Sequence, residues 1–102
     1  MSDLKQLQDR IATKRSELGY KNDPMQLQIL LMEEVGEVSK ELRQTWSSES
    51  KSVDKQALSD ELADVFIYVS SLASSFDIDL AKAIDHKFFD IVGARHNEIG
   101  SD

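Results

Sequence analysis

The sequence predicts an all-α protein, an antiparallel four-helix bundle-like protomer that assembles into a dimer or a dimer of dimers. Apolar residues recur at helical spacing along nearly all of the 102 residues, and only one proline and four glycines interrupt them. Long helices joined by short loops are typical of antiparallel bundles. We expect residues 1–102 to form a single domain. A chain this short buries a modest core, so a partner subunit would add stability.

The first two helices are separated by a short break. The first helix is expected to span Ser2–Leu18, with its leucines and isoleucine on one side. The following residues, GYKND, favour a turn. Asp23 is a suitable N-cap and Pro24 suits the first helical position. The second helix therefore begins there and is expected to run to Thr45.

The second half of the chain repeats this arrangement. A loop is expected at Trp46–Val53, because serine and lysine dominate it. The third helix is expected to run from Asp54 to Ser75. A short turn, FDID, follows, and either Asp77 or Asp79 caps the next helix. The fourth helix is expected at Leu80–His96, and the last residues, NEIGSD, are expected to fray.

The chain is acidic, with a formal charge of −7 and an isoelectric point of about 4.7. This argues against a generic nucleic-acid or membrane-surface binder, because phosphate backbones need a basic face. The chain has no cysteine, which excludes disulfides and thiolate metal sites. The start, MSDLKQLQDR, does not resemble a signal peptide, and no apolar run approaches about 18 residues. A cytoplasmic location is therefore expected.

Four acids intrude on the apolar faces of the second and third helices. Glu34 falls within the apolar stripe of the second helix and Glu37 lies on its edge; Glu61 and Asp64 hold the same positions on the third. Carboxylates that converge near a core repel one another and are expensive to bury. Divalent cations bound between the two acid pairs would relieve this repulsion. The stripes comprise Leu27, Leu30, Leu31, Val38 and Leu42, and then Leu58, Leu62, Val65, Tyr68, Val69 and Leu72.

The ligand chemistry points to a hard cation. Several carboxylate oxygens suit Mg²⁺, with Mn²⁺ as a possible substitute, better than zinc or copper. Two such ions can bind a polyphosphate and activate a water molecule. The competing interpretation is that the acids are solvated charges paired with Lys40, Arg43 or Lys55. The neighbouring acids Glu33 and Asp60 point further toward the polar side, so either a surface role or, for Glu33, a water-orienting role is open.

The same acids carry a family resemblance. Glu33-Glu34-x-x-Glu37 in LLMEEVGEVSKEL and Glu61-x-x-Asp64 in DELADVFIYVSSLA, followed by IDLAKAIDHK, resemble the signature of the MazG-type all-α nucleoside triphosphate pyrophosphohydrolases. The resemblance covers Met25–Arg95. It implies an enzyme that uses Mg²⁺ to hydrolyse a nucleoside triphosphate to the monophosphate and pyrophosphate, and a homodimer or homotetramer. Dimeric dUTPases, dCTP pyrophosphatases and phosphoribosyl-ATP pyrophosphohydrolases share the motif, so it indicates chemistry better than substrate.

The resemblance also implies roles for single residues. It makes Glu34, Glu37, Glu61 and Asp64 the metal ligands, with Glu33 and Glu34 in the catalytic centre. It assigns phosphate contacts to Tyr68, Lys87 and Arg95. Relatives often carry an asparagine four residues after this lysine, where this chain has Ile91, so that polar contact is missing or supplied otherwise. Trp46 could stack on a nucleobase, although a lone tryptophan is more often a packing or interface residue.

Several functions are compatible with this pattern. The leading hypothesis is an enzyme that clears surplus or non-standard nucleotides from the pool. A non-catalytic metal–nucleotide binding module and a phosphoribosyl-ATP pyrophosphohydrolase-like activity are the alternatives. A di-iron bundle is disfavoured, because that site needs Glu-x-x-His on two helices and neither His86 nor His96 has a glutamate three residues before it.

Overall fold

The structure, a computed structural model, describes residues 3–47 and 52–92. This part of the chain is helical and contains no strand, which confirms the all-α prediction. The fourth helix begins as an α-helix and continues with the wider turns of a π-helix. The helices are α1 (Asp3–Glu17), α2 (Pro24–Ser47), α3 (Lys55–Ser75) and α4 (Leu80–Ile84), followed by the π-helical segment Asp85–Val92.

The turn between α1 and α2 is built as its sequence predicts. Gly19 takes a φ of 82°, a left-handed conformation that glycine adopts without strain. This allows the amide of Tyr20 to donate to the carbonyl of Arg15 at 3.0 Å, closing the end of α1. Asp23 then accepts a hydrogen bond from the amide of Met25 at 3.2 Å. The predicted start of α2 is confirmed.

Aspartates also begin the last two helices. The side chain of Asp54 accepts from the amide of Ala57 at 3.1 Å and so caps α3. The side chain of Asp79 accepts from the amide of Lys82 at 3.2 Å and caps α4. Asp77 instead takes a positive φ of 57° in the turn before it. Of the two caps that the sequence leaves open, the structure selects Asp79.

One predicted boundary, the start of the loop after α2, is wrong. Trp46 and Ser47 lie in the last turn of α2 rather than in a loop. The stretch contains no proline or glycine to end the helix. The Ser47 hydroxyl donates to the Arg43 carbonyl at 3.0 Å and so gives a hydrogen-bond partner to a carbonyl in the last turns of the helix. The fourth helix is α-helical only as far as Ile84, because apolar periodicity does not separate α from π turns. Its predicted end at His96 lies outside the described residues.

Helix α3 is the central element of the protomer. Helix α2 packs along it, α1 packs against it, and α4 packs against α1. The buried side chain of Gln8 ties three of these helices together. Its amide nitrogen donates to Ser74 Oγ at 3.2 Å and to the Ile78 carbonyl at 2.7 Å, and its oxygen accepts from the amide of Leu80 at 3.0 Å. The position of α1 against α3 is therefore specified by hydrogen bonds as well as by packing.

The apolar core of the described residues is small. Leu27 and Ala73 are the buried hydrophobic residues, while Leu42 and Leu62 are 47% and 51% exposed. These two leucines lie on the predicted apolar stripes, but the described part of the protomer leaves them half exposed. Residues of α1 border the same cavities as Asp64, Ile67, Tyr68 and Ser74 of α3. The bundle arrangement and its assembly into a dimer stay predictions. No described helix is both long and apolar enough to cross a membrane.

Candidate metal centre

Three of the predicted ligands meet where α2 and α3 pack together. One carboxylate oxygen from each of Glu34, Glu61 and Asp64 lies within 4.8 Å of the others. Glu61 and Asp64 are one helical turn apart on α3, so they share a face, and packing brings Glu34 of α2 against them. All three side chains are half-buried. This group, which we call the carboxylate cluster, has the oxygen donors that a hard divalent cation prefers and could hold one.

Electrostatics in the carboxylate cluster disfavour three full negative charges. Partial burial raises the pKa of Glu34, and the charges of Asp64 and Glu61, a hydrogen bond with Glu61 and the charge of Glu37 raise it further. When Glu34 is protonated, its hydroxyl can donate to Glu61. A divalent cation in the same position would remove the repulsion and displace that proton.

No basic side chain neutralises the carboxylate cluster within residues 3–47 and 52–92. The ion pair found within these ranges joins Lys5 to Asp9 at 2.7 Å, in the first half of α1. Lys40, Arg43 and Lys55 make no ion pair with the cluster acids. The competing interpretation, in which those bases pair with the acids at the surface, therefore has no support in this geometry.

The other candidate acids are neighbours of the carboxylate cluster in the sequence but are not part of it. Glu37 is half-buried one turn after Glu34, and its charge acts on the pKa of Glu34. Glu33 is exposed. Asp60 is also exposed and accepts a hydrogen bond from Gln56 Nε2 at 2.9 Å, as a surface residue would. The role of Glu37 as a ligand and that of Glu33 beside the reacting water stay predictions.

Tyr68 lies beside the carboxylate cluster and contacts a cation from α1. The guanidinium carbon of Arg15 is 5.7 Å from the centre of the Tyr68 ring and 5.2 Å from that of Tyr20, both within cation–π range. A cavity of about 290 Å³ joins this group to Asp64. Its lining comprises Ile11, Lys14, Arg15, Leu18, Tyr20, Asp64, Ile67 and Tyr68.

A second cavity, of about 340 Å³, borders the same aromatic–guanidinium group. It is lined by Arg15, Tyr20, Lys21, Gln26, Leu30 and Tyr68. The sequence reasoning missed these α1 and turn residues altogether. Basic residues in the last turn of a helix are ordinary partners of the helix dipole, and so they carry no distinct signal in the sequence.

The remaining predicted substrate residues are not gathered at this place. Trp46 is 81% exposed at the end of α2. Lys87 is exposed on the π-helical segment and lines neither of the two cavities. Arg95 and the side chain of Ile91 lie outside the described residues. Among the described residues of one protomer, the candidate site therefore comprises the carboxylate cluster, Tyr68 and the end of α1.

Comparison with known proteins decides the family. The sequence model of the MazG nucleotide pyrophosphohydrolase domain matches residues 23–98, most of the chain and all of the carboxylate cluster. The chain belongs to this family. It is also 32% identical over 93 residues to "Uncharacterized protein YpjD" of Bacillus subtilis (strain 168), covering 86% of this chain and 82% of that protein. No solved structure matches the chain. The family resemblance that the acids carry is thus confirmed.

Proposed function

We propose that this MazG domain is an enzyme that hydrolyses (deoxy)nucleoside triphosphates to the monophosphate and pyrophosphate, with Mg²⁺ as its cofactor and Mn²⁺ as a possible substitute. The observation that carries the proposal is the convergence of Glu34, Glu61 and Asp64 without a neutralising base. The family points the same way. The role would be removal of surplus or non-standard nucleotides in the cytoplasm.

In the proposed reaction, different residues bind the metal, accept the proton and contact the phosphates. Bound divalent cations would neutralise phosphate charge and lower the pKa of a water molecule. Glu34, Glu37, Glu61 and Asp64 would hold them, and Glu33 would accept a proton from the attacking water. The water oxygen bonds to the α-phosphorus, the bond from that phosphorus to the bridging oxygen breaks, and pyrophosphate leaves with the electron pair. Tyr68 would steady the phosphates from α3.

A second copy of the chain would complete the substrate pocket. Leu42, Leu62, Phe88 and Phe89 are each about half exposed or more in the protomer, which is the pattern of surfaces that an oligomer covers. We therefore propose a homodimer or homotetramer. In such an assembly Lys87 and Arg95 would reach the phosphates, and Trp46 would stack on the base or pack at the interface. Sedimentation that shows a fully active monomer would reject the oligomer.

Turnover measurements test the enzymatic proposal. We would measure pyrophosphate release from canonical and damaged nucleoside triphosphates and from phosphoribosyl-ATP, each with Mg²⁺. Glu34→Gln and Glu61→Gln should lower kcat by at least about 100-fold, because the loss of one ligand carboxylate costs several kcal/mol of charge stabilisation. Glu17→Gln, the same change at an exposed position of α1, should leave turnover intact.

Two outcomes would contradict the proposal. If the wild-type protein binds magnesium and nucleotide but releases no pyrophosphate from any substrate, the chain is a binding module. If Glu61→Gln turns over as fast as Glu17→Gln, the carboxylate cluster does not carry the reaction. Selective turnover of phosphoribosyl-ATP would keep the chemistry and change the substrate.

A further inference from the structure

The end of α1 presents positive charge to the side of the carboxylate cluster, in a chain whose net charge is −7. Lys14 and Arg15 line the cavity that Asp64 also borders, and Lys21 lines the adjoining one. Arg15 and Tyr68 line both cavities. A ligand that fills the cavity bordered by Asp64 therefore also lies against Arg15.

The guanidinium of Arg15 is held in place but is not neutralised. The rings of Tyr20 and Tyr68 lie 5.2 and 5.7 Å from it. Its Nε donates to Asn22 Oδ1 at 3.4 Å and one Nη donates to the Lys21 carbonyl at 3.3 Å, both long for hydrogen bonds. Among the described residues no carboxylate forms an ion pair with it. A guanidinium has five N–H donors, so most of them remain for a ligand.

The turn after α1 fixes this arrangement. Gly19, with its left-handed φ of 82°, allows Tyr20 to fold back so that its amide bonds to the Arg15 carbonyl at 3.0 Å. The ring of Tyr20 then faces the side chain of the same arginine. Because it contacts two aromatic rings, the guanidinium loses little freedom when it binds an anion, which favours bidentate recognition of phosphate.

We infer that Arg15 is a phosphate-binding residue of this site, which takes a phosphate group of the substrate while the carboxylate cluster takes the cations associated with it. This inference rests on the proposed function for the identity of the substrate. The chemistry favours phosphate over a nucleobase, because an uncompensated cation with free donors beside a metal site complements an anion rather than a neutral ring. Lys14 and Lys21 add positive charge at the two cavities.

Calorimetric titration with inorganic tripolyphosphate in Mg²⁺ tests this inference without a nucleobase. The full chain is compared with Arg15→Ala, Arg15→Lys and Arg10→Ala, the last being the same loss of charge at an exposed position of α1. Arg15→Ala should bind tripolyphosphate at least about 10-fold more weakly. Arg15→Lys should fall between, because lysine keeps the charge and loses the bidentate fork. Arg10→Ala should bind as the wild type does.

Two further measurements separate phosphate binding from a structural role. Asn22→Ala removes the acceptor of the Arg15 Nε bond but leaves the guanidinium, so its affinity for tripolyphosphate should stay within about twofold of the wild type. Magnesium titration without phosphate should give the same affinity in wild type and Arg15→Ala. If Arg15→Ala fails to fold by circular dichroism, Arg15→Lys becomes the deciding variant.

The results distinguish the inference from the proposed function. Equal tripolyphosphate affinity for Arg15→Ala and Arg10→Ala overturns the inference, and so does Arg15→Lys at full affinity where the alanine variant is unfolded. Such a result leaves pyrophosphohydrolase activity intact. Conversely, wild-type protein that binds tripolyphosphate through Arg15 but releases no pyrophosphate from any nucleotide supports the inference and rejects the enzymatic proposal.

Discussion

Replacing Glu34 by glutamine should stabilise the metal-free protein. The oxygens of Glu34, Glu61 and Asp64 lie within 4.8 Å of one another, and the neutral variant removes two of the three repulsive pairs. Unit charges at that separation repel by about 0.9 kcal/mol in bulk water, and partial burial increases this value while salt reduces it. We expect Glu34→Gln to raise the free energy of unfolding by about 1–2 kcal/mol. The glutamine amide can also donate to Glu61, as the protonated glutamate does.

The gain should depend on pH in a defined direction. Burial, then Asp64 and Glu61, raise the pKa of Glu34 in the folded protein. A carboxyl group with a raised folded-state pKa stabilises the fold fully below its unfolded pKa, and that contribution disappears as the pH rises through the folded value. The difference between wild type and variant should therefore be small near pH 4 and reach its full size near pH 7.

Thermal and urea unfolding in the presence of a chelator measure this effect. All variants are compared at one protein concentration, because the apparent stability of an oligomer depends on that concentration. For a chain of this length, about 1 kcal/mol corresponds to a Tm shift of about 4–8 °C. Glu17→Gln, an exposed control on α1, should leave Tm within about 2 °C of the wild type. Saturating Mg²⁺ should reverse the order, stabilising the wild type more than Glu34→Gln. A metal-free Glu34→Gln that is less stable than wild type at pH 7 would refute the electrostatic reasoning.

Three other outcomes are expected. The affinity for Mg²⁺ should rise between pH 5 and pH 7.5, because a cation must displace the proton that the raised pKa of Glu34 retains; a flat calorimetric profile would contradict this. Gln8→Ala should lower the free energy of unfolding by about 2–3 kcal/mol in urea titrations, since it removes three part-buried hydrogen bonds, and a loss below about 0.5 kcal/mol would argue against the role of Gln8 in joining the helices. Gly19→Ala should lower the free energy of unfolding by about 1 kcal/mol. The cause would be the φ of 82° alone, because a Cβ there meets nothing within 4 Å. Gly36→Ala, inside α2 and also free of contacts, should raise the free energy of unfolding instead.

The sequence predicted the convergence of the candidate ligands better than it predicted the surroundings of the candidate site. Glu34, Glu61 and Asp64 could be identified because an acid inside an apolar stripe contradicts ordinary helix patterning. Helical spacing also places Glu61 and Asp64 on one face. The meeting of α2 with α3 follows from their apolar stripes and the short connection, so the convergence of the cluster was accessible without a structure.

The contribution of α1 was not accessible in the same way. Arg15 reaches Tyr68 only through the packing of α1 on α3, which Gln8 specifies by hydrogen bonds to distant parts of the chain. A polar residue on a helix face gives no advance sign of such partners. Leu42 and Leu62 show a second limit of sequence-based prediction. Periodicity predicts that they lie on an apolar face but not whether the same chain or a second copy covers that face.

Calorimetric titration of the metal-free protein with Mg²⁺ and with Mn²⁺, with and without a non-hydrolysable nucleoside triphosphate, tests the central claim most directly. Our account predicts uptake of a divalent cation by the wild type, tighter uptake with the nucleotide, and at least about a 10-fold loss of affinity in Glu61→Gln but not in Glu17→Gln. Absence of uptake under both conditions, or equal affinity in the two variants, would contradict it.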